Sequence, residues 1–152
     1  PKKLEIQLKF LKKNNIYFSH TSYDVIDGKN KFLSSRKAKS EINFKELRGS
    51  CDIGLSTVMV DRKVFDDETL KFAKLKTKED FVLWLNIAKK EIKIVGLDEK
   101  LTQWRKIPNS LSSSSVQKLL DGYRVYRVYL GYSRFRSFMY LLLLSVNYIL
   151  KR

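Results

Sequence analysis

Glu79 and Asp80 stand side by side at the head of an apolar run, Thr77-Lys78-Glu79-Asp80-Phe81-Val82-Leu83-Trp84-Leu85. A carboxylate is ionised at neutral pH and takes a proton from any hydroxyl within hydrogen-bond reach. An acidic pair where a helix opens at the mouth of a cleft can therefore act as a general base. The same residues admit a purely local reading. With Thr77 as N-cap, Asp80 falls at N3, a Thr-x-x-Asp capping box. Both acids would also favour the positive end of the helix dipole. The two readings compete for Asp80, because a carboxylate held tightly in a cap is less free to take a proton.

Other chemistry-bearing residues are few. Cys51 is the only cysteine and His20 the only histidine, so there is no intramolecular disulfide and no Cys/His zinc cluster. A single cysteine fits a reducing cytoplasm. With that histidine distant in sequence, a Cys/His nucleophile pair is not expected. His20 reads as an ordinary strand or surface residue.

The elements that must position these groups follow from periodicity. Pro1 to Lys13 reads as an amphipathic helix striped by Leu4, Leu8 and Leu11. Residues 16–19 and 21–26 read as strand, ending at an Asp27-Gly28 turn. Residues 29–39 read as a loop or irregular hairpin. Asn43 to Leu47 suggests a short helix capped by Asn43, stopped by Gly49. Leu55 to Val60 reads as a buried strand, and Asp61 to Phe65 as a short helix or turn. Thr77 to Lys90 is the clearest helix. Ile92 to Leu97 and Leu101 to Arg105 read as two strands. A polar connector, Pro108-Asn109-Ser110 and Ser112 to Ser115, leads to helices over about 116–129 and 133–150, broken by Gly131.

At 152 residues, 43% of them apolar, the chain fits one ordinary domain with a real core. Its 31 Lys and Arg against 16 Asp and Glu give a net charge of +15. Such an excess implies an anionic partner: nucleic acid, an anionic membrane face or a phosphorylated substrate. Ten of the bases, but only one acid, Asp121, fall between Lys100 and Arg152. Residues 138–150 are the most apolar run, 13 residues against the roughly 18 to 20 that span a bilayer. With Arg134 and Arg136 before it and Lys151 and Arg152 after it, this run fits a helix lying on an anionic membrane surface, or a core or dimer-interface helix. Nucleic-acid binding has no RNP-like motif, zinc finger or clear helix-turn-helix behind it, and none is expected.

The ordered set of segments resembles the acceptor-side, C-terminal half of family 2 glycosyltransferases, which have the GT-A fold. It comprises a leading helix, then "N-I-Y-F-S-H-T-S-Y" and "V-I-D-G-K", Gly49-Ser50-Cys51-Asp52-Ile53-Gly54, and "S-T-V-M" before Arg62. Glu79-Asp80, a strand over 92–95 and a segment ending at Arg105 follow in the same order. The resemblance covers nearly the whole chain. It implies an α/β fold: a partial GT-A-like unit with a small mixed sheet, packed helices and two C-terminal helices. Residues 1–110 would be the acceptor-side half of the catalytic domain and 111–152 a basic helical extension.

The resemblance also implies a chemistry. A sugar would pass with inversion from a nucleotide-sugar donor to a polysaccharide or lipid-linked acceptor, in bacterial surface-glycan synthesis at the cytoplasmic face of the membrane. Asp80 would accept the acceptor proton and Glu79 would orient or cap. Asp52 would contact sugar hydroxyls, unless its loop is only a glycine-bounded turn. Arg105 and Lys106 would face the leaving nucleoside diphosphate, unless they are simply solvated bases. Mg2+ or Mn2+ is expected in the intact enzyme, on an Asp-x-Asp motif in an N-terminal nucleotide-binding half. Neither that motif nor that half occurs in this chain, and the opening at Pro1 suggests a fragment. A fragment so truncated is expected to be inactive alone. The alternative is a basic nucleic-acid-binding or membrane-surface module without catalysis.

Overall fold

The computed structural model describes residues 2–108, 110 and 114–150. Pro1, much of the polar connector and the last two bases lie outside them. The architecture is α/β. Helix α1 (Lys2–Asn14) leads into strands β1 (Phe18–Ile26), β2 (Phe32–Arg36) and β3 (Glu41–Ile42), then a short α2 (Phe44–Leu47). Strand β4 (Met59–Val60), helix α3 (Glu79–Lys89) and strand β5 (Ile94–Arg105) follow, and α4 (Ser115–Arg124) and α5 (Arg134–Leu150) complete the described chain.

The sheet is small and mixed. Its order is β2-β1-β5-β3, with β4 pairing the start of β1. Strands β1 and β5 run parallel, and α3 provides the crossover between them; the other pairings are antiparallel. Successive side chains of β1 point to opposite faces. Phe18 meets Trp84 of α3 edge-on, with ring centres 5.3 Å apart. The next residue, Ser19, accepts a hydrogen bond from Gln7 of α1 at 3.1 Å. Helices α1 and α3 therefore cover opposite faces of the sheet. Phe18, Leu47, Phe81, Leu85, Ile87 and Ile94 form the fully buried centre. The π-helical turn Val125–Tyr129 that follows α4 contributes Val125 and Tyr126, and α5 contributes Leu144, to the same core.

Gly96 fixes one close approach. A Cβ there would lie 1.9 Å from the carbonyl oxygen of Lys39, in the strap joining β2 to β3. The Gly96 N–H donates to Ser40 O at 3.0 Å, so strap and strand touch backbone to backbone.

Several sequence expectations change. The stretch from Leu55 to Val60 is a 3-10 turn (Leu55–Thr57) and a two-residue strand, with Leu55 exposed rather than buried. The two strands expected over 92–105 are one continuous strand, β5, carried through irregular register opposite Thr21, Ser22 and Tyr23. Helix α1 faces the sheet with Gln7 and Leu11, while Leu4 and Leu8 of the expected stripe are exposed. Gln7 wins that position because its amide bridges Ser19 Oγ and Thr57 O. His20 is buried, not a surface residue. Asn43 does cap α2, in a reciprocal box with Glu46.

Candidate active site

Helix α3 starts one residue later than the sequence suggests. Its N-cap is Lys78, in a left-handed conformation (φ 62°, ψ 18°) with no side-chain cap. Thr77 is not the cap. Its N–H and hydroxyl both donate to Asp121 Oδ2 of α4, at 3.0 and 3.1 Å. The Thr77–Asp80 capping box is therefore absent. The reason is tertiary: a buried carboxylate on another helix offers Thr77 a stronger, charge-assisted partner.

Asp80 is left half-buried in the first turn of α3. Its Oδ1 accepts the N–H of Phe81 at 2.7 Å. Burial, then the neighbouring Glu79 charge, raises its pKa above the ordinary carboxylate value, against the opposing pull of the Phe81 amide and Lys78. A carboxylate with a raised pKa is a better proton acceptor while ionised.

The Gly49–Gly54 loop brings Cys51 and Asp52 to the same place. Burial, then the charge of Asp80, pushes the Cys51 thiol up to about 12, with Lys78 opposing and Asp52 adding. This thiol is inert as a nucleophile. Asp52 takes the Ser50 hydroxyl at 3.2 Å to each oxygen. Its charge is felt by two β1 side chains. Burial raises the Tyr23 hydroxyl's pKa, with Arg36 opposing and Cys51 and Asp52 adding. Burial lowers His20 to about 4, with Asp52 opposing. The Nε2 of His20 is buried with no hydrogen-bond partner. Asp80, Glu79, Asp52, Cys51, Tyr23 and His20 thus form one electrostatically linked cluster, with Lys78 acting on Asp80 and Cys51 and Arg36 acting on Tyr23. Sequence reasoning passed over Lys78 and Tyr23. Nothing in one chain announces a left-handed lysine at a helix start, though alternation along β1 could have flagged Tyr23.

Arg105 and Lys106 lie further along the sheet. Arg105 pairs with Ile26 at the end of β5, and its guanidinium donates to Asn30 Oδ1 and to Asp27 O, the latter at 3.3 Å. Lys106 donates its backbone N–H to Ile26 O at 2.8 Å and is exposed. Among the described residues no group of three or more His, Cys, Asp or Glu side chains could hold a metal ion. These residues do not fit a divalent cation.

Helix α5 backs this site. Asn147 donates to Gly49 O at 2.9 Å, and Leu143 would meet a Cβ at Gly49 at 3.2 Å. Gly122 of α4 lies between Leu141 and the Lys78 side chain. Tyr126 donates to Arg48 O at 2.7 Å, and Arg48 lies over Tyr140.

An α/β unit with a half-buried acidic pair at a helix start is compatible with a transferase that deprotonates an acceptor hydroxyl. Comparison with known proteins points the same way. The chain is 39% identical over 105 residues to an uncharacterized glycosyltransferase of Rickettsia felis, covering 68% of this chain and 17% of that one. It is 31% identical over 118 residues to the UDP-Glc:alpha-D-GlcNAc-diphosphoundecaprenol beta-1,3-glucosyltransferase WfgD of Escherichia coli, covering 77% and 45%. It is 30% identical over 129 residues to the putative teichuronic acid biosynthesis glycosyltransferase TuaG of Bacillus subtilis, covering 82% and 49%. No family model matches the chain. Most of this chain is thus similar to bacterial glycosyltransferases, and it spans at most about half the length of these relatives.

Proposed function

We propose that this chain is the acceptor-side part of a GT-A-type, family 2 glycosyltransferase that inverts the sugar it transfers. The observation that carries the reading is the state of Asp80. It opens α3 with no capping role toward Thr77, and its proton affinity is raised by burial and by Glu79. Similarity to the three named relatives supports the class of reaction.

In the proposed reaction, the acceptor hydroxyl oxygen attacks the anomeric carbon and its proton passes to a carboxylate oxygen of Asp80. The bond from the anomeric carbon to the nucleoside diphosphate breaks, and the electron pair leaves with the diphosphate. Glu79 keeps the Asp80 proton affinity high, while Lys78 holds the carboxylate ionised before attack. Asp52, oriented by Ser50, is the proposed contact to acceptor hydroxyls. Arg105 and Lys106 are proposed for the leaving-group side. The donor is a nucleotide sugar, and the acceptor a glycan or a lipid-linked saccharide of a bacterial surface polymer; the printed names of WfgD and TuaG support those classes. The cytoplasmic face of the membrane is the proposed setting. On this reading the 152 residues alone carry out no transfer.

The test is product stereochemistry. The intact protein is incubated with a panel of nucleotide sugars and a diphosphoprenol-linked acceptor, and the new anomeric centre is read by NMR. An inverted linkage supports the reading. A retained configuration, or no transfer across the panel, counts against it.

A further inference from the structure

Helix α5 carries an apolar face that nothing among the described residues covers. Phe135, Phe138, Met139, Leu142, Val146 and Ile149 are all exposed, from 44% at Leu142 to 77% at Phe135. At 3.6 residues per turn these six fall within an arc of roughly 100°. No polar residue interrupts that arc. The opposite side of the helix is taken: Ser137 and Leu144 are buried, and Asn147 bonds Gly49 O. Val116, Leu119 and Leu120 of α4 are exposed as well.

Charge selects the occupant. Arg134 and Arg136, both exposed, border the arc on its two sides at the start of α5. Arg124 and Arg127 are exposed at the end of α4 and the turn beyond it. The one acid from Lys100 onward, Asp121, is fully buried and paired with Thr77, Gln117 and Arg124. The exposed surface of both helices is therefore apolar and cationic. No described helix is long and apolar enough to cross a membrane. An apolar arc bordered by arginines on a non-spanning helix matches a helix lying in the plane of an anionic bilayer, its side chains sunk about 5–10 Å among the acyl chains.

We propose that α5 docks the protein on an anionic phospholipid surface through this arc. Docking stands on exposure and charge alone. Its use rests on the glycosyltransferase reading: the inner side of α5 touches Gly49, and Leu141 and Lys78 flank Gly122. A bilayer against the outer side would lie about one helix diameter, roughly 10 Å, from the Gly49 backbone that the inner side of α5 touches. A lipid-carried acceptor could then reach Asp80 without leaving the membrane.

The test is co-sedimentation of the full-length protein with phosphatidylglycerol/phosphatidylcholine vesicles and with phosphatidylcholine alone. The anionic vesicles are expected to retain the protein at least tenfold better, with binding falling as salt rises. Phe135→Glu/Leu142→Glu/Ile149→Glu changes only exposed positions; it is expected to abolish retention with unchanged circular dichroism and melting. Arg134→Gln is expected to weaken retention on anionic vesicles only. Equal retention of the triple variant, or none by the parent protein, overturns the proposal. So does a parent dimer that the triple variant dissociates, since α5 would then be an interface between copies. Transfer to a water-soluble acceptor analogue separates the two claims. The triple variant is expected to keep it, whereas failure of the transferase reading would remove it from the parent protein too.

Discussion

Thr77 donates both its N–H and its hydroxyl to Asp121 Oδ2, at 3.0 and 3.1 Å, tying the start of α3 to the first of the two C-terminal helices. Gln117 and Arg124 complete the carboxylate's partners at 2.9 and 3.1 Å. Burial pushes the Asp121 pKa up, but these bonds outweigh it and hold it below the ordinary value. One pairing thus decides two things: Asp80 is not a capping-box acid, and α4 is anchored against the candidate site.

Asp121→Ala is expected to destabilise the fold by about 2–4 kcal/mol, since it leaves the buried amide of Thr77 and its hydroxyl unpaired. Asp121→Asn keeps one acceptor oxygen and is expected to cost less. Urea unfolding of both variants checks this ordering. With a lowered folded pKa, the Asp121 contribution is present above the ordinary carboxylate range and is lost only as pH falls through the folded value.

Asp80 has the opposite sign. Its raised folded pKa means that folding disfavours the ionised form, so the group costs stability at neutral pH and ceases to do so below its ordinary value. Asp80→Asn is expected to melt at or above the parent temperature at pH 7, with the gap closing near pH 3. Thermal melts across that range read it out. A clear loss at pH 7 would make Asp80 a structural residue.

His20 titrates between these limits. Its folded pKa of about 4 lies below the ordinary 6.5, so the buried ring is neutral in the fold and charges on unfolding. Stability is then fully present above pH 6.5 and declines as pH falls toward 4, by on the order of 3 kcal/mol. His20→Gln cannot charge, and its unfolding free energy is expected to fall less steeply than the parent's over this window, the remaining slope near pH 4 coming from carboxylates such as Asp121. Equal slopes for both proteins would contradict the placement of His20.

Gly96→Ala is expected to destabilise the protein by about 3 kcal/mol or more, because its Cβ meets backbone rather than a movable side chain. Gly28→Ala, where a Cβ meets nothing within 4 Å, is the control. Comparable losses would mean that the strap does not lie against β5.

Helix α3, the Asn43 cap and α5 were legible because local periodicity and capping decide them. The Asp80 candidate was legible as a residue type at a helix start. What one chain could not reveal was tertiary competition. Asp121 lies 44 positions from Thr77, yet it takes the hydroxyl that local rules assign to a cap. Burial of Gln7 in place of Leu4 and Leu8 follows from Ser19 and Thr57, which only the folded sheet brings to α1. The merging of two expected strands into β5 depends on β1 as a parallel partner, and pairing of that kind leaves no local mark.

The central claim is that Asp80 is the proton acceptor, and the most direct measurement compares two carboxylate variants of the intact protein. Glycosyl transfer is measured under saturating donor and acceptor for Asp80→Asn and Glu79→Gln, each shown folded by its melting curve. Asp80→Asn is expected to lower kcat by at least 100-fold, with Glu79→Gln retaining most activity and shifting the acid limb of the pH profile downward. An Asp80→Asn protein that transfers sugar at the parent rate would contradict the assignment.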